Sequence, residues 1–166
     1  EPSQVSASRD IYVNWADFPS IAALGDGTII VHWLEKSGTS AYAYDIRVSL
    51  SQDKGASWSY PFQPHLDRTI AQHGFVSILP LKDTFILFWL DARAYEGSLV
   101  ESGAVAGAIQ LRAAVFSKNG VIKPDFSLDL VACSCCKTSA TVSEETAIIA
   151  YRDRTANEIR DISIKR

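Results

Sequence analysis

Ser51-Gln52-Asp53-Lys54-Gly55-Ala56-Ser57-Trp58 is the stretch on which the fold turns. It has the form S-x-D-x-G-x-x-W. A strand-like run, Asp45 to Leu50, leads into it, and a short aromatic run follows. Each fixed residue has a physical task. The Asp53 carboxylate can accept hydrogen bonds from backbone N–H groups of its own turn. Gly55 can take a positive φ that other residues resist. Trp58 can fold back and bury its rings between neighbouring strands. The stretch therefore predicts a self-locking hairpin loop, with Ser51, Asp53, Gly55 and Trp58 as structural staples.

Working outward, short apolar runs bounded by Gly, Asp, Asn and Pro recur, and no sustained 3.6-residue period appears. That pattern predicts an all-β chain. Three segments share one layout: a strand, a tight turn, a Thr-led strand, an aromatic, one residue and a carboxylate. They end in Trp33-Leu34-Glu35, Trp89-Leu90-Asp91 and Tyr151-Arg152-Asp153. A further strand follows each, with an apolar-Arg start at Ile46-Arg47, Leu111-Arg112 and Ile159-Arg160. Ser20, Ser77 and Ser139 mark steps of roughly 60 residues, long enough for a four-stranded propeller blade.

The predicted fold is a partial β-propeller of about two and a half four-stranded blades, half of a six-bladed ring. An N-terminal extension covers 1–17, frayed over Glu1 to Ser8. Blade one covers 18–62, blade two 74–130, and an incomplete blade three 137–166. Ser117-Lys118-Asn119-Gly120 takes the place of the Ser51 loop in blade two as a turn signal. A β-sandwich built from the same strands is the competing architecture. Trp33, Trp89 and Tyr151 are expected in the inter-blade core. An open half-ring would leave an apolar face and an edge uncovered, which predicts a homo-oligomer or marginal stability.

Composition bounds the function. The chain has 166 residues, 47% of them hydrophobic, and a net charge of −3. It has no Lys/Arg-rich run, which argues against nucleic acid as a partner. Its longest apolar run, Thr84 to Leu90, is strand length, so no membrane span is expected. The chain begins at Glu1 and contains no Met, which points to a processed or excised piece.

The Ser51–Trp58 motif resembles the Asp-box (BNR) repeat of sialidase-like β-propellers. Asp91-Ala92-Arg93, Cys133-Ser134-Cys135-Cys136, Tyr151-Arg152-Asp153 and Arg160-Asp161-Ile162 are similar to segments of exported bacterial members of that group. The resemblance implies a periplasmic or extracellular glycosidase acting on an acidic sugar. Sialidases bind the substrate carboxylate with an arginine triad and use an Asp as acid/base. Asp91 and Asp153 are then the candidate catalytic carboxylates. Arg93, Arg152, Arg154, Arg160, Asp17 and Glu35 are the candidate substrate contacts. The family's Arg-Ile-Pro motif has no counterpart in Asp17-Phe18-Pro19-Ser20-Ile21. The loop Ala94 to Ala106 is a candidate lid, and Tyr95-Glu96 lies within it.

Another reading of the same charges is purely structural. Each Arg opening a third strand pairs with the carboxylate closing a second strand, and the periodicity favours this. It fits a non-catalytic binding or scaffold propeller, metal- or redox-linked. Under either reading the isolated chain is expected to be inactive.

Cys133, Cys135 and Cys136 leave three alternatives: a disulfide, placed first; a soft metal, Cu(I) or Zn²⁺; or packed, inert thiols. No other cofactor is implied. His32 reads as a packed or partner-bonded histidine. His65, in a Pro-flanked linker, reads as exposed. His73 reads as able to approach the cysteines across the rim.

Overall fold

The computed structural model describes residues 2–94, 108–155 and 157–166; the candidate lid lies outside them, apart from Ala94. The described residues form an all-β fold without helix, in three antiparallel sheets. The first has the order β1 (Ser20–Ala23), β2 (Ile29–Lys36), β3 (Tyr44–Ser51). The second holds β4 (His73–Leu81), β5 (Thr84–Asp91), β6 (Ile109–Ser117) and β7 (Gly120–Ala132) in sequence order. The third holds β8 (Ser139–Ser143), β9 (Thr146–Arg152) and β10 (Ile162–Lys165).

The opening strands lie side by side, β1 against β4 and β4 against β8. Successive sheets therefore stack face on face around a common line, as propeller blades do. Side chains alternate across a strand, and β5 shows the consequence. Phe85, Leu87 and Trp89 join Ile30, Ile46, Val48 and Phe116 in one core, between the first and second sheets. Phe88 and Leu90 join Leu111, Ala113, Ile149 and Tyr151 in another, between the second and third. A strand covered on both faces reads as an unbroken apolar run, which is why Thr84 to Leu90 is so hydrophobic. Trp89 and Tyr151 take the inter-blade positions expected of them, one in each core. On the third sheet, Ile162 and Ile164 are exposed.

Register aligns the first two sheets residue for residue. Trp33 faces Arg47, and Trp89 faces Arg112. In the third sheet Tyr151 faces Ser163, not Arg160. The repeat slips there because a turn intervenes, in which Glu158 N–H donates to the Thr155 carbonyl at 3.0 Å. The strand opens only at Ile162.

Residues 10–12 of the N-terminal extension pair with the end of β2. Tyr12 N–H donates to the Leu34 carbonyl, and Lys36 N–H to the Asp10 carbonyl. These bonds prolong the line of β1 along β2. The Tyr12 ring stacks on Tyr44 at 4.0 Å.

The loop after β3 closes through Ser51, Asp53 and Gly55, while Trp58 is only half-buried and does not pass between strands as expected. Ser51 Oγ donates to Asp53 Oδ1 at 2.7 Å and accepts the Gly55 N–H at 2.8 Å. Asp53 accepts the Ser57 N–H at 2.8 Å and its hydroxyl at 2.6 Å. These bonds, led by those from Ser57, hold the Asp53 carboxyl down at about 2. Trp58 lies over Gly55, and its Nε1–H donates to Ser3 Oγ at 3.2 Å. Gly55 sits at φ +91 with only ordinary contacts around a notional Cβ. Gly55→Ala is therefore expected to cost about 1–2 kcal/mol, from backbone strain alone. An unchanged urea midpoint would contradict this.

Candidate functional site

The ends of β2 and β5 and the starts of β3, β4 and β6 meet at one rim. Polar residues line up there in register, Glu35 opposite Asp45, and His73 opposite Asp91 opposite Gln110. The linker from β3 to β4 runs beneath this rim and adds His65 and Asp67. The result is a buried ionic network that sequence reasoning did not assemble.

Asp67 is its hub. Its Oδ1 accepts from His65 Nδ1 at 2.9 Å, and its Oδ2 from His73 Nε2 at 3.2 Å. Thr69, through its N–H and its hydroxyl, and Arg93 Nη2, at 3.2 Å, complete its partners. The two imidazoles stack at 3.8 Å, nearly parallel. His73 Nδ1 reaches Asp45 Oδ1 at 3.3 Å, and its Nε2 lies 3.7 Å from Asp91 Oδ2. Asp91 is fully buried, and both its oxygens are engaged. Arg93 Nε and Nη2 donate to them at 2.9 and 2.7 Å, and Trp89 Nε1–H donates at 2.7 Å. Arg93 Nη1 and Arg112 Nε both meet Asp125 Oδ2 at 2.9 Å, and Arg112 also donates to Gln110.

The electrostatics follow from burial and pairing. Burial disfavours the charged ring of His73. The hydrogen bonds to Asp45 and Asp67, with Asp91 nearby, outweigh it and push its pKa up to about 10. Burial likewise opposes ionisation of Asp67 and Asp91. The two His bonds to Asp67, and Arg93 on Asp91, hold both carboxyls well below the usual range. A histidine with a raised folded pKa stabilises fully below its unfolded value of 6.5. That contribution is lost as pH rises toward 10. In chelator-treated protein, stability is expected to fall by up to about 1.4 kcal/mol per pH unit over this window. His73→Gln should flatten the slope in a urea titration series; a slope that persists in the variant would contradict the assignment.

The sequence-predicted residues distribute as follows. Asp17 is buried and accepts the Phe75 N–H at 2.6 Å, a structural bond. Glu35 accepts from Trp33 Nε1 and from Arg47 Nε, each at 2.9 Å. This pair opens on a cavity of about 420 Å³ that is also lined by residues 5–8, Tyr60 and Pro61. Asp91 and Arg93 lie inside the network. Asp153 accepts from Ser163 Oγ at 2.9 Å. Arg154 and Arg160 both pair with Glu158, at 2.6 and 3.3 Å, away from the network. The expected pairing of third-strand Arg with second-strand carboxylate holds for Arg47 and Glu35. It is altered in the second sheet, where Arg112 turns to Asp125 and Arg93 takes Asp91.

The cysteines gather between β7 and β8 as free thiols. Cys135 Sγ stands 3.5 Å from Cys133 and 3.7 Å from Cys136, so the disulfide placed first is not formed. Arg152 Nη1 approaches Cys136 at 3.5 Å and Cys135 at 3.9 Å. Burial works to raise the Cys133 thiol, yet hydrogen bonds from Cys135 and the charge of Arg152 bring it below its ordinary value. His32 is buried as expected, with Nδ1 at 2.8 Å from Ser20 Oγ. His65 is not exposed: it is 2% accessible, because it packs flat on His73. His73 is engaged by carboxylates, not by the cysteines.

No protein-family model matches the sequence, and no relative is found among curated proteins. Solved structures do resemble the fold. Hadza microbial sialidase Hz136 matches 89% of this chain at 17% identity and a TM-score of 0.57. The alpha-L-arabinanase of Penicillium chrysogenum, in complex with arabinobiose, matches 89% at 14% identity and 0.51. The chain spans 34% and 41% of these two proteins. Among the described residues no helix is long and apolar enough to cross a membrane. The fold is thus a partial β-propeller of the kind that glycosidases use.

Proposed function

We propose that this chain is part of an exported, sialidase-like propeller whose ring recognises or hydrolyses an acidic sugar. One observation carries the reading. The Glu35–Arg47 pair faces an open cavity at the rim, on a fold shared with a sialidase. The Arg47 guanidinium, about a third exposed, can turn from Glu35 to a sugar carboxylate. At the third sheet Arg152 lies beside the cysteines, and Arg154 and Arg160, both on Glu158, would have to leave that carboxylate to meet a sugar acid. Asp153 accepts from Ser163 Oγ and from the Arg154 N–H but is only half-buried, which makes it the more accessible of the two candidate catalytic carboxylates.

The test is the complete ring containing this chain, assayed on a panel of sialosides and other acidic glycosides for turnover and for binding. Arg47→Ala is expected to weaken acidic-sugar binding about tenfold or more. A folded ring that neither binds nor cleaves any acidic glycan overturns the proposal.

A non-catalytic binding or scaffold propeller is favoured by a different observation. Asp91 sits fully buried between Trp89 and Arg93, with no oxygen left for a substrate. Binding of glycan without turnover, unaffected by Asp153→Asn, would decide for this second reading.

A further inference from the structure

We propose that Asp45, His65 and His73 form a binding site for one divalent transition-metal ion, Zn²⁺ or a close relative, beneath the rim. The three side chains are buried, and one ligand atom from each lies within 4.8 Å of the others. Asp45 Oδ1 is 3.3 Å from His73 Nδ1 and 3.9 Å from His65 Nε2. Ligands at about 2.0–2.1 Å from a tetrahedral zinc stand roughly 3.3 Å apart. One of the three pairs already has that spacing, and the two that involve His65 close when its ring tilts off the His73 ring, on which it stacks at 3.8 Å.

The independent observation is what faces the centre. His65 Nε2 is buried and has no hydrogen-bond partner, and the buried Asp45 Oδ1 has only the His73 ring beside it, at 3.3 Å and outside good hydrogen-bond geometry. The His65 side chain is 1% exposed. Its Nδ1 meets the Asp67 carboxylate, which can only accept, so the proton sits on Nδ1. The lone pair of Nε2 then points at a carboxylate oxygen. Two buried acceptors 3.9 Å apart call for a cation or a proton between them.

The surroundings are those of a metal centre. Metal-bound imidazoles donate their other N–H to a carboxylate, which fixes ring and tautomer. Asp67 does this for both rings, one oxygen to each. Gln63 Nε2 holds Asp45 Oδ2 at 2.5 Å and leaves Oδ1 turned inward. Among the described residues four carboxylates, Asp45, Asp67, Asp91 and Asp125, share three cationic partners, Arg93, Arg112 and His73. A divalent ion, in place of the proton on His73 Nδ1, neutralises that excess. Two nitrogens and one carboxylate suit Zn²⁺, Co²⁺ or Fe²⁺ over the hard ions Mg²⁺ and Ca²⁺.

The cysteine cluster would also take these metals, so the test uses the chain with Cys133, Cys135 and Cys136 changed to Ser. After chelation and dialysis, one equivalent of Co²⁺ is expected to bind, with d–d bands and no thiolate charge-transfer band. Asp67→Asn is expected to weaken binding about 10–100-fold, and His65→Ala to abolish it, with near-UV circular dichroism reporting the fold. Where a variant fails to fold, Cu²⁺ on the otherwise unchanged Cys-free chain gives the answer by pulsed electron paramagnetic resonance. Two coordinated imidazoles are expected, and His32 is the only other histidine. If the Cys-free chain does not fold, the same spectra on the intact chain must show the imidazole site beside any thiolate site. No bound metal, binding unchanged by His65→Ala, or a spectrum without two imidazoles overturns the proposal. None of these results depends on glycan binding.

Discussion

Arg93→Ala is expected to be the most damaging single substitution in the chain, costing about 3–5 kcal/mol. The guanidinium is 6% exposed and meets three carboxylates, Asp91 and Asp67 through Nη2 and Asp125 through Nη1. Truncation would leave Asp91 with Trp89, one backbone N–H and the more distant His73 ring, and Asp67 and Asp125 each short of one positive partner. Removing one partner of a buried ion pair is expensive because the other stays charged in a poor solvent. Domains of this size are stable by about 5–15 kcal/mol in total, so the loss is a large share. Arg93→Lys keeps the charge but cannot place two parallel donors on Asp91 while reaching Asp125. It is expected to recover only part of the loss. Urea denaturation of the three chains decides. A variant within about 1 kcal/mol of the parent would mean that the network is not what holds this rim.

The parts of the fold that were legible in the sequence are those with a local cause. The Ser51–Trp58 loop follows from side chains bonding within eight residues. The strands follow from alternation, and the repeats are aligned by Trp33 with Arg47 and Trp89 with Arg112. The third repeat was misaligned because Ile159-Arg160 matches the apolar-Arg pattern while belonging to a turn. Periodicity does not report where a loop ends.

The candidate site was legible only in part. Asp91, Arg93 and Glu35 were found from their place at strand ends. His65 and Asp67 were missed because a Pro-flanked linker reads as surface. The ring stacking of His65 on His73, with the bonds of Asp67 to His73 and to Arg93, brings that linker inside. The available signal was the crowding of two histidines and an aspartate between Pro64 and Gly74, in a segment with no alternation to explain them. Whether a charge faces solvent or another charge depends on contacts between sheets, which no local pattern encodes.

Gly74 shows how closely those sheets meet. A Cβ there would lie 2.2 Å from Asp17 Oδ2 and 2.8 Å from the Tyr44 ring. Neither neighbour can retreat freely. Asp17 Oδ2 accepts the N–H of Phe75 at 2.6 Å, in a buried spot where β4 bulges between Gly74 and Ser77. Phe75 itself is held at φ +56, where few side chains sit. Tyr44 is clamped by its stack on Tyr12. Gly74→Ala must therefore displace the carboxylate, stranding a buried N–H, or push the ring into the core. Overpacking costs about 1–3 kcal/mol and an unsatisfied buried donor a similar amount, so a loss of about 3 kcal/mol or more is expected. A double-mutant cycle separates the two effects. Asp17→Ala alone should cost about 1–3 kcal/mol by orphaning Phe75 N–H. In that background Gly74→Ala should cost clearly less than in the parent, since the nearer obstacle is gone. Equal costs in both backgrounds would mean that the Asp17 carboxylate does not occupy the space where Cβ would stand, and that it does not hold the bulge from which His73 is aimed into the network.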